Sequence, residues 1–451
     1  MKQQYSPPTG WGTKNKQMQK SIFSFTALII ISAAVTAQGR LTLPDALSLA
    51  LKNSYSIQLV KDNLEIAGIN NHIGVAGGLP VVNAQATDNE QFTSINQKFP
   101  DPTRNLKKSG VDANNLSASL TGSILLYNGY RVKATKQRLE QLQLQQQDLL
   151  NAQIQNTIAS VSTRYYDIVR QQNLLRTIHQ SIDVSKKRIE VLQSRKAVGM
   201  ANDADLYQAQ LDLNSLIQTE QAQQLVIQQG KTDLLNLIFA QPDSNITIND
   251  TILVDQSINF DQIKSLLPKN PQLVAADQQI RINELLERET AALRSPSLRA
   301  TTGVSLSHTN SAAGFILMNQ SYGPTVGLNL SIPIYNGMVN KKQQQIAAIN
   351  TRIAKTQKDN LLLNIETGSV RTYQAYKSSL VQIQTAANNY ALSTKLLDLV
   401  LQKFQLGQAT IIDVKMAQQS FENESYRLVN LAYTAKIAEI ELKRLSNLLQ
   451  P

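Results

Sequence analysis

Few residues in this 451-residue chain have the types and spacing for covalent or metal chemistry. Cysteine is absent, which excludes thiol nucleophiles, thiolate metal sites, disulfides and lipidation of an N-terminal cysteine. The three histidines, His72, His179 and His308, lie far apart, and none stands at metal-ligand spacing. They read as surface or helix-seam residues, so no metal and no cofactor are expected. There is no GxxxxGK[ST] phosphate loop and no GxSxG elbow. Gly74-Val-Ala-Gly-Gly78 lacks a following Lys and reads as a loosened helix end, not an anion site. Carboxylates at helical spacing, such as Glu284 and Glu287, read as solvated surface. An enzyme is not expected.

What remains is a turn that the chain spells twice. VGMANDADLYQAQ begins at Val198 and LGQATIIDVKMAQ begins at Leu406, an offset of 208. Gly199 matches Gly407, Asp205 matches Asp413, and Ala209 matches Ala417. A glycine can end a helix by taking positive φ. Asn202 with Asp205, and Thr410 with Asp413, have the spacing of a capping box for the helix that follows. Asp203 adds another acid to a first turn, where the helix dipole favours it. Two uses of these acids stay open. They cap helices, at about 1 kcal/mol each, or they cap helices and also ring a mouth where several tips converge. In such a ring, like charges about 6 Å apart repel by roughly 3 kcal/mol at an effective dielectric near 20. It would favour bound cations or partial protonation.

The elements that position these turns are long. YNG occurs at Tyr127-Asn128-Gly129 and again at Tyr335-Asn336-Gly337, at the same offset, and 70 residues separate each YNG glycine from its turn glycine. The first interval holds no Gly or Pro and the second only Gly368, which favours unbroken helix. Ile154, Ile158, Val161, Tyr165, Ile168, Leu175, Ile182 and Ile189 step by four and three, interrupted by Gln172, His179 and Lys186. That is a coiled-coil seam with polar gaps. A helix of 69 residues spans roughly 100 Å. The Gln-rich stretch 137–155 keeps an apolar face and reads as part of that helix.

Before each long helix the period changes to two. Leu116, Leu120 and Ile124 alternate with Ser and Thr, and Val326, Leu328, Leu330, Ile332 and Ile334 alternate with mostly polar residues. Weaker upstream partners lie at about 80–96, which is poorly patterned, and through Val304 and Leu306. Loops are expected near 97–112 and 309–320; apolar Phe315-Ile316-Leu317-Met318 in the second fits neither strand face. A helix opens each half, one from Leu41 to about residue 76 and one at 271–293.

Residues 1–37 read as a secretory signal peptide, with Lys14, Lys16 and Lys20 before an apolar run from Ile22 to Val35 and small residues to Ala37. Met18 is a more typical start, so residues 1–17 read as an upstream extension. A short membrane anchor is the alternative. Beyond it, the expected organisation is a first repeat at 38–240, with strands at about 80–127 and a hairpin at 130–240 whose tip is 199–205. A belt follows at 241–260. A second repeat at 261–451 has strands at about 297–335 and a hairpin at 338–449 whose tip is 407–413. The net charge of +11 falls to +7 without residues 1–37, and its scattered Lys and Arg have no aromatic platform, which argues against nucleic acid.

Four antiparallel strands cannot close a barrel, and open edges cannot face lipid. If these strands enter a membrane, protomers must pool them. Two copies give eight strands, nearly filled by side chains, and three give twelve with a lumen.

The order of elements, the paired YNG and the paired turn resemble the outer-membrane efflux protein (TolC-like) family over about Leu41 to Leu449. The resemblance implies a mainly α fold with membrane β: two tandem repeats, each with two strands and long coiled helices, four strands per protomer pooled into a 12-stranded trimeric barrel over a helical periplasmic tunnel. It implies a homotrimer in the outer membrane of a Gram-negative bacterium, passing substrate from an inner-membrane transporter (RND, ABC or similar) through a periplasmic adaptor protein docked at the helical tips. Outer-membrane lipid would surround the strands. The implied gate residues are Gly199, Asp203, Asp205, Phe404, Gly407 and Asp413. Some relatives place an arginine and a further acid where this chain has Ala409 and Met416, so its lock must differ. A periplasmic structural coiled coil outside the membrane is the competing expectation.

Overall fold

The computed structural model describes residues 39–312 and 316–450; the expected signal peptide and Phe315 lie outside the described residues. The chain divides into a segment, Met1–Gly39, and a body, Arg40–Pro451, that carries both helical hairpins and the sheet.

Two long helices dominate. Helices α1 (Leu43–Asn53) and α2 (Tyr55–Asn70) lead to strands β1 (Val81–Gln97) and β2 (Leu106–Tyr127). The 67-residue helix α3 (Arg131–Ala197) and the 35-residue α4 (Asp203–Leu237) form the first hairpin. After the belt come α5 (Phe260–Leu266), α6 (Pro271–Ala292), β3 (Ser297–Ser311) and β4 (Met318–Ser331). The second hairpin, α7 (Val339–Gln405) and α8 (Ile411–Leu445), repeats the lengths of 67 and 35 residues. At 1.5 Å per residue α3 and α7 are each about 100 Å long. No helix among the described residues is long and apolar enough to cross a membrane.

Three expectations need correction. The opening helix is not continuous: buried Ser54 breaks it, and its side chain accepts from Ile57 N (3.3 Å) to cap α2. It ends at Asn70, short of residue 76. The opening helix of the second half, expected at 271–293, spans Pro271–Ala292, but a short helix not expected there, α5, precedes it and ends in a 3₁₀ turn at Pro268 before Asn270 caps α6. The strands outrun the apolar pattern, because polar residues still pair through the backbone. The first hairpin therefore pairs to Gln97↔Leu106 and the second to Asn310↔Met318, shrinking both expected loops.

The strands form one antiparallel sheet in the order β1-β2-β3-β4. Its register sorts the residues by face, since partners directly opposite share one. One face stacks Ala84, Leu120, Val304 and Pro324 in one row and Ala86, Ala118, Leu306 and Tyr322 in the next. Leu116, Ile124, Val326, Leu328 and Leu330 belong to it too. The other face stacks Asn83, Thr121, Gly303 and Thr325, then Gln85, Ser119, Ser305 and Gly323. Ile332 and Ile334, expected on the apolar strand face, lie past the end of β4. Pro333 has no N–H to donate there, and the last pair is Ser297↔Ser331. Ile316, Leu317 and Met318 are exposed at the turn between β3 and β4.

The helices bury a seam. Ile158, Val161, Tyr165 and Ile168 of α3 pack with Ala46, Leu47 and Ala50 of α1, with Ile227, Leu234 and Leu235 of α4, and with Ile246 and Ile248 of the belt. Each fully buried Leu or Ile contributes about 2 kcal/mol. The polar gaps in the seam are used or solvated. Gln172 Nε2 donates to Ile248 O (3.0 Å), His179 Nε2 meets Glu220 Oε1 (2.9 Å), and Lys186 is exposed.

Candidate functional site: the paired hairpin tips

Both tips end α3 and α7 in the same way. Gly199 (φ 78°) and Gly407 (φ 82°) occupy the left-handed region. Gly199 N bonds Lys196 O and Met200 N bonds Arg195 O; Gly407 N bonds Phe404 O and Gln408 N bonds Lys403 O. Each glycine thus closes a Schellman motif that satisfies the last helix carbonyls. The return helices are then capped. Asn202 Oδ1 accepts from Asp205 N at 2.7 Å. Thr410 Oγ1 accepts from Asp413 N at 3.2 Å, and Asp413 Oδ2 accepts from Thr410 N at 2.8 Å, a complete capping box. Those bonds from Thr410 hold the Asp413 carboxyl below the usual carboxylate range. The expected box at Asn202 is only half made: the reciprocal Asp205 bond is absent among the described residues, leaving that carboxylate without a partner. Asp203 instead pairs with Lys196 across the turn, and this contact raises the Lys196 ammonium.

Phe404 does not stand free at the tip. It is 1% exposed and packs with Leu192, Leu206, Ala209, Leu401 and Val414, a cluster drawn from both hairpins. Its ring therefore belongs to the core that joins the two tips. Arg195 of α3 lies over that ring, 4.6 Å from its centroid, and its Nη2 donates to Phe404 O. A guanidinium at the C-terminal end of α7 also complements the dipole there.

Two turns deeper along α3 lies a charged link that sequence reasoning missed. Arg188 of α3, 1% exposed, donates from Nη2 to Asp212 Oδ2 of α4 at 2.9 Å. Asp212 Oδ1 also accepts from Gln208 Nε2 and from Lys415 Nζ of α8, each at 3.0 Å. Burial pushes the Asp212 carboxyl up, but Lys415, Gln208 and Arg188 outweigh it and hold it low. Beside it Gln418 donates to Ser181 O and Glu422 Oε1. The available signal was the run Ser181, Ser185, Arg188, Leu192, which repeats the four-three spacing one residue ahead of the seam, mostly in polar residues.

At the other end of the helices the YNG segments join strand to helix. Tyr127 closes β2, and Asn128 Oδ1 accepts from Val132 N at 3.4 Å. Gly129 takes φ 67°, and a Cβ there would lie 2.4 Å from Ser295 Cβ, so only glycine fits. Tyr130 follows, also left-handed at φ 64°. Tyr335 and Asn336 lie in the irregular segment after β4; Gly337 (φ 66°) and Met338 (φ 64°) repeat the left-handed pair.

The belt is fastened to both hairpins. Tyr165 OH donates to Asp250 Oδ2 (3.1 Å) and Tyr376 OH donates to Asp255 O. Buried Glu439 accepts from Asp255 N, Lys436 Nζ and Lys443 Nζ, each at 2.9 Å. Bonds from Ser257 and then Lys443 hold the Asp255 carboxyl far below its usual range. No group of three or more His, Asp or Glu among the described residues could hold a metal.

A family model described as outer membrane efflux protein matches residues 46–240 and again 262–448. The outer membrane protein TolC of Escherichia coli K12 is 22% identical over 361 residues, covering 74% of this chain and 70% of that protein. TolC of Vibrio cholerae serotype O1 is 21% identical over 311 residues, covering 64% and 67%. The crystal structure of the outer membrane protein VceC from Vibrio cholerae superposes with a TM-score of 0.76 at 18% identity, covering 90% of this chain and 96% of that one. One family model thus matches both hairpins and the two-faced sheet they join: the chain belongs to the outer membrane efflux protein family, whose members are transport channels and not enzymes.

Proposed function

We propose that this protein is the outer-membrane exit duct of a tripartite efflux pump or a type I secretion system. Three copies pool their strands into a 12-stranded barrel, and substrate passes from an inner-membrane transporter, through a periplasmic adaptor at the helical tips, to the outside. The observation that carries this reading is the sheet. It is apolar on one face and polar on the other, and β1 and β4 are open edges. Val326 and Leu328 are 86% and 72% exposed in one protomer, which calls for a covering partner or lipid. From Leu116 to Leu126 the apolar face runs about 34 Å along the strand. Tilted by about 40°, it stands about 25 Å tall, the height of a barrel's apolar band. Tyr322 at one rim and Tyr127 at the other fit aromatic girdles.

The tips form the gate in this reading. Lys415–Asp212 and Arg195–Phe404 tie the second hairpin to the first, in place of the arginine and second acid that Ala409 and Met416 replace. Asp413 and Asp205 approach the mouth as an acidic ring. The test is conductance of the purified protein in planar bilayers. Wild type is expected to form cation-blocked channels, and Asp413→Ala to change block or leak while leaving the trimer intact. Coincident recordings refute the gate. A water-soluble monomer without detergent dependence refutes the channel and favours a periplasmic coiled coil.

A further inference from the structure

The polar face of the sheet is nearly free of charge. Followed through the register from Val81 to Thr93, Val111 to Leu125, Ser297 to Ser311 and Asn319 to Ser331, it holds one ionisable side chain among the described residues, Arg299. Its neighbours across the ladders are Leu125 and Asn329. The guanidinium is exposed, and its hydrogen bond among the described residues runs from Nη1 to Ser123 Oγ at 3.3 Å, with no carboxylate paired to it. A single exposed bond of that kind adds little stability, so packing does not explain an arginine here.

Arg299 sits two residues from the start of β3, at the end of the sheet where β2 and β4 give way to the long helices. The first turns of α3 and α7 contain no acid, and Arg131, Lys133, Lys341 and Lys342 stand there. Cations at a helix N-terminus oppose the macrodipole. The junction therefore carries a positive field that helix stability does not favour.

We propose that Arg299 is a specificity-determining residue: in the assembled pore it forms a ring of guanidinium groups that favours anionic substrates, those bearing carboxylate, phosphate or sulfonate. This rests on the trimeric-barrel reading above, which turns the polar face to the lumen. Arginine stays charged at any physiological pH, and rings of Arg or Lys are how pores select anions. Along the strands, the uncharged Ser, Thr and Asn rows beyond it offer no competing charge; the acidic ring proposed at the tips lies at the far end of the helices.

The experiment is reversal potential under a KCl gradient, with the full-length protein in planar bilayers. Arg299→Gln is expected to lower the chloride-to-potassium permeability ratio by about threefold, since three unit charges on the lumen wall act through a wet, screened pore. Arg299→Glu should lower it further, and Arg299→Lys should keep the wild-type ratio. Equal ratios in wild type, Arg299→Gln and Arg299→Glu overturn the filter. If the Gln variant does not insert, citrate added from the hairpin-turn side of the strands decides: voltage-dependent block of the wild-type chloride current supports the ring, and unaltered current overturns it. A wild-type protein with no conductance at all overturns the channel reading instead.

Discussion

Replacing Asp212 tests whether the deep link at the tips is a buried ion pair or a surface contact. Arg188 is 1% exposed, and Asp212 supplies its carboxylate partner at 2.9 Å. Arg188 Nε already lacks a bond among the described residues. Asp212→Ala therefore strands a guanidinium away from water, and removing one partner of a buried pair costs about 3–5 kcal/mol. Lys415→Met removes the third member, but that side chain is 54% exposed and should cost less than about 1 kcal/mol. Arg188→Met combined with Asp212→Leu removes both charges and should recover most of the loss, because an apolar pair of similar volume often matches a buried ion pair. Chemical denaturation of the detergent-solubilised protein, followed by circular dichroism, ranks the variants. If Asp212→Ala and Lys415→Met cost the same, or the double variant is worse than the single, the buried-pair reasoning fails.

The YNG glycines should separate two costs. Gly337→Ala meets no atom within 4 Å and should lose only the left-handed strain of about 1–2 kcal/mol, whereas Gly129→Ala also collides with Ser295 and should lose clearly more by thermal melting. Glu439→Ala frees Lys436, Lys443 and Asp255 N together, so it should cost about 3–5 kcal/mol and make the 241–259 segment a new site of limited proteolysis. Asp212, Asp255 and Asp413 all have carboxyls lowered in the folded state. Their stabilisation is complete above the unfolded carboxylate value near 4 and is lost as pH falls through the lowered folded values. Melting temperature should thus hold from neutral pH to about 4 and drop below it; a fall that begins near pH 6 contradicts the assignment.

Long-range pattern was legible in the sequence where chemistry is repetitive. Helices α3 and α7 run almost the full interval between their YNG and turn glycines, because glycines mark both ends and proline is absent between. Strand β1 was weak because its face is built from Ala84 and Ala86, whose small side chains barely alternate with Gln and Thr, and because Asp88 and Glu90 continue the same face. Its place came from pairing. The break at Ser54 was hidden, because the apolar spacing of Leu47, Leu51, Ile57 and Val60 runs on across polar Asn53, Ser54 and Ser56. At the tips the glycines and caps were visible as spacing, while Arg188–Asp212–Lys415 joins three helices and no local pattern announces it. Phe404 looked like a mouth residue by position, and only packing across hairpins put it in a core.

The matched lengths of the two hairpins, 67 and 35 residues in each, carry a consequence for how such a chain can change over time. Inserting a single residue into α3 would move its tip by about 1.5 Å and rotate everything beyond it by about 100°. Leu192 would then miss Phe404, and Arg188 would miss Asp212. Tolerated insertions near the tips should therefore come in heptads and in both hairpins at once, while the strand turns remain free to grow or shrink alone.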